Sequence, residues 1–385
     1  MSNKIEEVHK METVRVLDRP EDFKKYGIKQ EGLEAWEDGR RDSSESGHGE
    51  IWYFDCSFED GTTLVLGFRP KSVDRLMQPE DNPNVAINYT NKEGETFFDY
   101  RMCSIEESVF SKDKCELKIG AHYLKGSNWD EYDVKIVPEE PSALVVDGKP
   151  SEDHSASVDL HFTAETKPFR PGTGIIDVGE GFYYNFICIT RMQVHGHIHI
   201  NGEDKEVCGA AYYNHQWFNI SPAIAFHHWV WGRQNIGEYS ILIYDMVTRK
   251  STGLVQIPLF TIDDMQGNRI FENTSSSNMS YEILDTYIEK VSGKEYPCAL
   301  RYTFENDDMK VIYTIRNPQE IGIMFVYGDA PEPVRKQYDA MGIKPSYTRN
   351  LADTELTIET KDGSKTIRGR MLYEFNFPGK ELREN

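Results

Sequence analysis

The sequence lacks the features that mark membrane-spanning, exported and disulfide-bonded proteins. It has no stretch of 18 apolar residues, so we expect no membrane-spanning helix. The N-terminal segment MSNKIEEVHKMETVRVLDRPEDF is charged and has no apolar core, which predicts no signal peptide. The six cysteines are scattered without a CxxC pair, a usage typical of a reducing cytosol. These absences predict a cytoplasmic protein without disulfides.

Positive charge is also scarce. The chain has 43 Lys and Arg against 64 Asp and Glu, which gives a formal net charge of -21. A field of that sign repels phosphate backbones and anionic membranes, so we expect neither nucleic acid nor a membrane as partner. The GxGxxG, P-loop and GxSxG motifs are absent as well, and we expect no cofactor. A homodimer stays open as an expectation.

Long amphipathic helices are nearly absent, and short β-prone runs bounded by Gly, Asn, Asp or Pro fill the chain from Glu50 onward. The run IWYFDCSF, a DG turn and TTLVLGF are typical of a hairpin. With 385 residues, the chain is long enough for two domains. We predict an all-β fold of two barrels or sandwiches in tandem with few short helices. The predicted boundaries are a polar leader at 1–46, an N-terminal β-domain at 47–220 and a C-terminal β-domain at 221–385.

Aromatic rings and imidazoles concentrate where the two predicted domains meet. Residues 211–245 hold three of the six tryptophans, three of the eleven histidines and four tyrosines. Such a density is typical either of a protein core that contains polar groups and water or of a functional site. We interpret it as a site in the cleft or barrel mouth at the seam, with most of its rings also serving as core.

Three ordered motifs carry a resemblance to one superfamily. They are the ExWYFD hairpin that begins at Glu50, the run VHGHIHINGEDKEVCGAAYYNHQW, and HHWVWGRQNIGEYS followed by ILIYD. Together they resemble the superfamily of carotenoid 1,2-hydratase (hydroxyneurosporene synthase), kievitone hydratase and the fungal decalin-forming Diels–Alderases, over roughly residues 46–385. The resemblance implies two lipocalin-like β-domains. It does not fix the reaction, because the group contains hydratases and cyclases.

His215 and Trp217 lie two apart on a predicted strand, so both side chains leave the same face. Taken alone, the pair is typical of a hydrogen-bonded interior histidine beside a packed tryptophan. The resemblance implies instead that both belong to the site. Asn214 stands where the family usually has Asp, so His215 loses one potential carboxylate neighbour. A partly buried His215 without an acidic neighbour should be neutral at pH 7 and act as a base toward water, which Asn214 would help to place.

Tyr244 and Asp245 end the next predicted strand and, as neighbours, point to opposite faces. In an aromatic pocket, burial would raise the pKa of Asp245 and make it a proton donor to an alkene. The alternative is an Asp that caps a turn. Tyr244 is a candidate for placing water.

The remaining candidates bind substrate. Aromatic rings can shield a developing cation, although rings of this kind are core residues by default. Arg233 can bind a polar substituent or pair with a carboxylate. The aromatic candidates are Trp52, Trp229, Trp231 and Tyr239.

A rival signal is VHGHIHINGE, in which His195, His197 and His199 alternate along one strand face. His197, His199 and Glu203 match the HxHx3E pattern of a cupin metal site. The Gly six residues before this HxH is missing, because Arg191 stands there, and no second cupin motif follows. Solvated strand-face histidines are the alternative interpretation.

The sequence therefore favours a cofactor-independent hydratase or hydro-lyase of secondary metabolism. Its substrate would be a lipophilic alkene such as a terpenoid or a prenylated or polyphenolic small molecule. Asp245 or His215 would protonate the double bond, and Asp245 is the favoured donor because a neutral His215 would instead activate water. The alternatives are an isomerase or cyclase, including a pericyclase, in the same pocket, a lipocalin-type binder without chemistry, and a cupin-like metalloenzyme.

Overall fold

The computed structural model describes residues 14–138, 145–146, 149–150 and 156–383. The strands of the first half are β1 Arg15–Val16, β2 Gly49–Phe58, β3 Thr63–Arg69, β4 Asn84–Thr90, β5 Thr96–Met102, β6 Val109–Phe110, β7 Glu116–Ile119, β8 His122–Ser127, β9 Glu131–Ile136, β10 Val145–Val146, β11 Lys149–Pro150, β12 Ala156–Ala164 and β13 Ile175–Gly179. The later strands are β14 Phe182–Ile200, β15 Glu203–Phe218, β16 Phe226–Ile236, β17 Tyr239–Thr248, β18 Gln256–Asp264, β19 Arg269–Asn273, β20 Met279–Ile288, β21 Glu295–Glu305, β22 Met309–Met324, β23 Ser346–Thr360 and β24 Gly363–Phe377.

The helices of the described residues are short. They are α1 Pro20–Tyr26, α2 Pro222–Ala225, α3 Val326–Asp329 and α4 Glu332–Met341. Short 3-10 turns lie at Ala35–Asp38, Val73–Arg75, Ile105–Glu107, Lys250–Thr252 and Ser276–Asn278. In the part of the chain that the structure covers, no helix has the length and apolar character needed to cross a bilayer. The prediction of an all-β fold with few short helices is confirmed.

The chain forms two compact units. Residues 17–176 and 183–221 form the N-terminal unit, and residues 177–182 and 222–383, together with 14–16, form the C-terminal unit. Each unit is built on a curled antiparallel sheet. In the N-terminal unit the strand order is β11-β10-β5-β4-β3-β2-β15-β14-β12-β9-β8-β7-β6. In the C-terminal unit it is β19-β18-β17-β16-β24-β23-β22-β21-β20.

The core of the N-terminal unit follows from the two-residue period of its strands. Trp52, Phe54 and Cys56 alternate along β2 and are fully buried. On the neighbouring strand β15, Tyr213 lies opposite Phe54 and His215 lies opposite Trp52. The pleat therefore carries an imidazole into the apolar side of the sheet, next to the aromatic and aliphatic side chains of the core.

The long hairpin of β14 and β15 sets the register of that sheet. Its tip, Asn201-Gly202, has positive φ angles of 52° and 78°, as the favoured two-residue hairpin turn requires. Gly196 in β14 has φ +145°, and a Cβ built there would lie 2.1 Å from the carbonyl oxygen of Asp159. Only glycine permits this close approach of β14 to β12.

Candidate active site

His215 is the centre of a buried polar cluster in the N-terminal unit. Its side chain has no exposed surface, and its Nε2 lies 2.6 Å from Glu50 Oε1. Its Nδ1 lies 3.4 Å from Asp38 Oδ1, so one carboxyl group faces each ring nitrogen. Glu50 precedes Trp52 by two residues on β2 and lies opposite Trp217 of β15. Asp38 ends a 3-10 turn instead.

Backbone amides hold Glu50 in place. The amide of Arg41 donates to Oε1 at 2.9 Å, and the amide of Asp42 donates to Oε2 at 3.1 Å. Backbone N–H groups can only donate, so the Glu50 oxygens act as acceptors toward the chain. The same contacts fix residues 41–42 against the start of β2.

Two phenols and an indole fix Asp38. Tyr132 donates its hydroxyl to Asp38 Oδ2 at 2.7 Å, and the Tyr213 hydroxyl donates to Oδ1. The indole Nε1 of Trp52 donates to the backbone carbonyl of Asp38 at 3.1 Å. The two hydroxyls satisfy the carboxyl oxygens and the indole satisfies the backbone carbonyl of a residue that is 2% exposed.

Burial moves the pKa values of this cluster in opposite directions. It raises the pKa of Asp38 to about 6 and that of Glu50 to about 7, because desolvation disfavours the carboxylate. Desolvation also disfavours the imidazolium, so burial lowers the pKa of His215 to about 4, although nearby Asp38 opposes this shift. The imidazole is therefore neutral near pH 7, where Glu50 is protonated in part and Asp38 is mostly a carboxylate.

Two indoles enclose the imidazole. Trp52 stacks on His215 with ring centroids 4.5 Å apart and an angle of 16° between the planes. Trp217 lies 4.7 Å from the same ring at 41°. Trp217 is only half-buried, whereas Trp52 is completely buried. The structure thus brings together three of the residues singled out from the sequence.

Asn214 does not join them. It points to the other face of β15, where its Nδ2 donates to the Tyr212 hydroxyl at 3.1 Å and its Oδ1 accepts from Gln216 at 2.9 Å. Asn in place of the Asp that the resemblance led us to expect does not deprive His215 of carboxyl neighbours, because Glu50 and Asp38 supply them. The neutrality expected of His215 has burial as its cause.

Asp245 lies in the C-terminal unit, in the middle of β17 and not at a strand end. It is 1% exposed and accepts hydrogen bonds from Gln256 at 2.7 Å and the Tyr302 hydroxyl at 3.0 Å. Among the described residues, no hydrogen-bond donor reaches its Oδ1. Burial raises the pKa of Asp245 to about 6, as the sequence predicted for an apolar pocket. The alternative of a turn cap is wrong, because the residue pairs with Val230 and Pro258 inside the sheet.

The other candidates of the C-terminal unit lie apart from the Asp245 side chain. Tyr244 points to the opposite face of β17 and lies across from Trp231 of β16. Trp229 and Arg233 alternate with Trp231 and share its face. Tyr239 begins β17, where Lys365 lies 5.2 Å from its ring.

The structure does not assemble the cupin-like set. His199 Nδ1 pairs with Asp204 at 2.8 Å, and Glu203 pairs with Lys205 at 2.9 Å. Within the described ranges, no group of three His, Cys, Asp or Glu side chains is placed to hold a metal ion. His195 and His197 are exposed, as the alternative of solvated strand-face histidines predicts.

The sequence interpretation missed the carboxyl groups of this cluster. Glu50 carried a signal, because it alternates with the inward-facing Trp52 on a predicted strand. Asp38 and Asp42 carried none, since they fall in the segment predicted as a polar leader. Both are buried, at 2% and 7% exposure.

No protein-family model matches the chain, and no curated protein matches its sequence. In structure it is similar to an AttH protein of Nitrosomonas europaea, with 14% identity, 90% of this chain and 97% of that chain covered, and a TM-score of 0.56. It is also similar to CghA crystallised with Sch210972, with 11% identity, coverage of 92% and 98%, and a TM-score of 0.53. Kievitone hydratase from Nectria haematococca matches with 13% identity, coverage of 88% and 92%, and a TM-score of 0.49. The resemblance that the motifs indicated is confirmed as a likeness of fold. The prediction of two lipocalin-like domains in tandem is confirmed as well.

Proposed function

We propose that the chain is an enzyme that adds water to, or removes water from, a lipophilic alkene by acid–base catalysis without a cofactor. One observation carries the proposal. A buried imidazole with a lowered pKa lies between two carboxyl groups with raised pKa values. Environments that shift the pKa values of neighbouring groups in opposite directions create a proton donor and a proton acceptor side by side near neutral pH.

The chemistry of hydration matches this cluster. Protonated Glu50 transfers its proton to one alkene carbon and leaves a cation at the other. Water then attacks the cation, and the neutral imidazole of His215 takes the proton that water loses. The π faces of Trp52 and Trp217 stabilise the positive charge as it develops. The proton lost by water equals the proton given to carbon, so no co-reactant is needed.

Asp245 is a second candidate for the proton donor. Its raised pKa and its Oδ1 without a donor suit a protonated acid in an apolar barrel. Tyr302 and Gln256 both donate to Oδ2, so a proton on this carboxyl would lie on the buried Oδ1. The comparison of Asp245→Asn with Glu50→Gln assigns the donor, because only loss of the true donor abolishes turnover while ligand binding persists.

The lipophilic substrate is inferred from the indoles around His215 and from the fold. CghA, which has a similar fold, was crystallised with the small molecule Sch210972. This is an analogy at the level of fold, and it supports a small-molecule ligand without naming one. A cytoplasmic location and a homodimer remain predictions.

The test incubates the full-length protein with an extract of its source organism and follows substrate masses. A change by one water supports the proposal. A new retention time at unchanged mass supports the cyclase or isomerase alternative, and binding without conversion supports a carrier. His215→Gln should abolish conversion, with exposed His195→Gln as the matched control. Conversion by His215→Gln at the wild-type rate would refute the proposed site.

A further inference from the structure

Asn185 is a buried polar residue on the inner face of the N-terminal sheet that the proposed reaction does not use. It lies directly opposite Trp217 in the pairing of β14 with β15, and Trp217 lies opposite Glu50 in the pairing of β15 with β2. Residues directly opposite one another in an antiparallel sheet point to the same face. The Asn185 side chain therefore shares the face of His215, which lies opposite Ile187 two residues further along β14.

The amide of Asn185 has no hydrogen-bond partner within the described part of the chain. The residue is 1% exposed, and no donor or acceptor of the described residues reaches its Nδ2 or its Oδ1. A buried amide without a partner destabilises a fold, because it gives up its hydrogen bonds to water and gains none in return. Such a group in a native interior is retained for a reason other than stability, of which ligand binding is one.

The position of Asn185 suits a substrate that enters beside Trp217. Trp217 and Tyr183, which lies two residues before Asn185 on the same face, are both half-buried, whereas His215 is completely buried. The face therefore becomes less accessible from Tyr183 through Asn185 toward His215. Adjacent strands are about 4.8 Å apart, so the backbones of Asn185 and Glu50 lie about 10 Å from one another with Trp217 between them. A small molecule that spans this distance contacts the Asn185 amide and the Glu50 carboxyl together.

The chemistry of the amide favours a neutral oxygen group. Its Nδ2 donates to a hydroxyl or carbonyl oxygen, and its Oδ1 accepts from a hydroxyl. An anionic group is disfavoured on this face, because Asp38 is mostly a carboxylate at pH 7 and repels a second negative charge. A phenol or an alcohol therefore fits Asn185 better than a carboxylate or a phosphate.

We propose that Asn185 is a substrate-binding residue that holds a hydroxyl group of the lipophilic alkene while the double bond lies beside Glu50 and His215. The inference rests on the proposed function. It narrows the substrate to an alkene that also carries a neutral hydroxyl, as a prenylated phenol does. The ligand then supplies the hydrogen-bond partner that the folded chain does not give the amide. Asn185 binds and orients the substrate and takes no part in proton transfer.

The first test is a thermodynamic cycle that changes the ligand and the protein in turn. Para-prenylphenol and prenylbenzene differ only in the hydroxyl, and calorimetric titration of the full-length protein gives the Kd of each. Loss of the hydroxyl should weaken binding to the wild type by roughly tenfold more than binding to Asn185→Leu, because only the wild type loses a hydrogen bond. Asn84→Leu is the matched control and should behave as the wild type. Asn84 is also buried with both polar atoms unreached by the described residues, but it precedes the inward-facing Val85 on β4 and so lies on the outer face.

Two further measurements keep this test decisive. Thermal denaturation should show both Leu variants at least as stable as the wild type, because each loses a buried amide without a partner. In NMR spectra of the wild type, the side-chain amide protons of Asn185 should shift with para-prenylphenol and not with prenylbenzene. The inference is overturned by equal hydroxyl preferences in the wild type and Asn185→Leu, by equal NMR shifts with the two probes, or by a wild type that binds neither probe.

The second test uses the conversion assay and separates this inference from the proposed function. Asn185→Leu should raise KM by roughly tenfold with kcat little changed, as expected for the loss of a contact made equally in the bound substrate and the transition state. If His215→Gln converts at the wild-type rate, the proposed function fails, and the role of Asn185 toward a substrate fails with it. If His215→Gln is inactive but Asn185→Leu matches Asn84→Leu in KM, only this inference fails.

Discussion

Replacement of Asp245 by Asn should make the C-terminal unit more stable than the wild type in mildly alkaline solution. The residue is 1% exposed and has no cationic partner among its hydrogen bonds, which come from Gln256 and Tyr302. Burial raises its pKa from 3.8 to about 6. Asn has nearly the same shape and carries no charge. Its carbonyl can accept from Tyr302, and its amide can donate to a rotated Gln256.

The direction of this pH effect follows from the linkage between proton binding and folding. A carboxyl whose folded pKa is above its unfolded pKa destabilises the fold as pH rises. The penalty begins near pH 4, where the unfolded group ionises, and is complete above about pH 6, where the folded group ionises. At about 1.4 kcal/mol per pKa unit, the full penalty is about 3 kcal/mol, of which roughly half develops between pH 5 and pH 8.

Hydrogen exchange of the amides of β17 and β18 measures this effect within the C-terminal unit alone. The free energy of opening should fall between pH 5 and pH 8 by about 1.5 kcal/mol more in the wild type than in Asp245→Asn. Asp307→Asn, which removes an exposed carboxylate from a turn of the same unit, is the matched control and should follow the wild type. Equal pH dependence in wild type and Asp245→Asn would refute a raised pKa at this position.

Three further predictions concern the N-terminal unit. The lowered pKa of His215 has no effect on stability above about pH 6.5, where the imidazole is neutral in both the folded and unfolded states, and it destabilises the fold by up to about 3 kcal/mol as pH drops toward 4. Denaturation of His215→Gln at several pH values should therefore show a smaller loss of stability in acid. Tyr213→Phe removes a donor to Asp38 and should destabilise by about 2 kcal/mol above pH 7, where that carboxyl is charged, and by less at pH 5. Gly196→Ala should destabilise by about 3 kcal/mol or more, because the new Cβ meets the Asp159 carbonyl.

Matched variants test the specificity of these effects. Tyr327→Phe removes an exposed hydroxyl that donates to Asp339 at 3.1 Å, and its stability should change little with pH. Gly322→Ala places a Cβ no closer than 3.8 Å to its neighbours and should be nearly neutral. A pH-independent loss in Tyr213→Phe, or a Gly196→Ala protein as stable as Gly322→Ala, would contradict the corresponding argument.

Much of the architecture could be predicted from local patterns. Short β-branched and aromatic runs predicted the strands, and the Asn201-Gly202 pair predicted the tip of the β14–β15 hairpin, because only a few residue types accept its positive φ angles. The two-residue period of a strand is enough to place His215 and Trp217 on one face. The same period correctly separated Tyr244 from Asp245.

The chemical character of His215 depends on tertiary contacts. Glu50 lies 165 residues away in sequence, yet it contacts Nε2, and Asp38 reaches the other nitrogen from a loop that was predicted as polar leader. No local pattern encodes such contacts, because they depend on the pairing of β2 with β15 and on the path of the preceding turn. Burial then shifts the pKa values of these groups, because the same carboxyl groups in water would keep their ordinary pKa values. Strand periodicity fixes which residues face inward, but only the folded chain excludes the water whose absence makes those residues acids and bases.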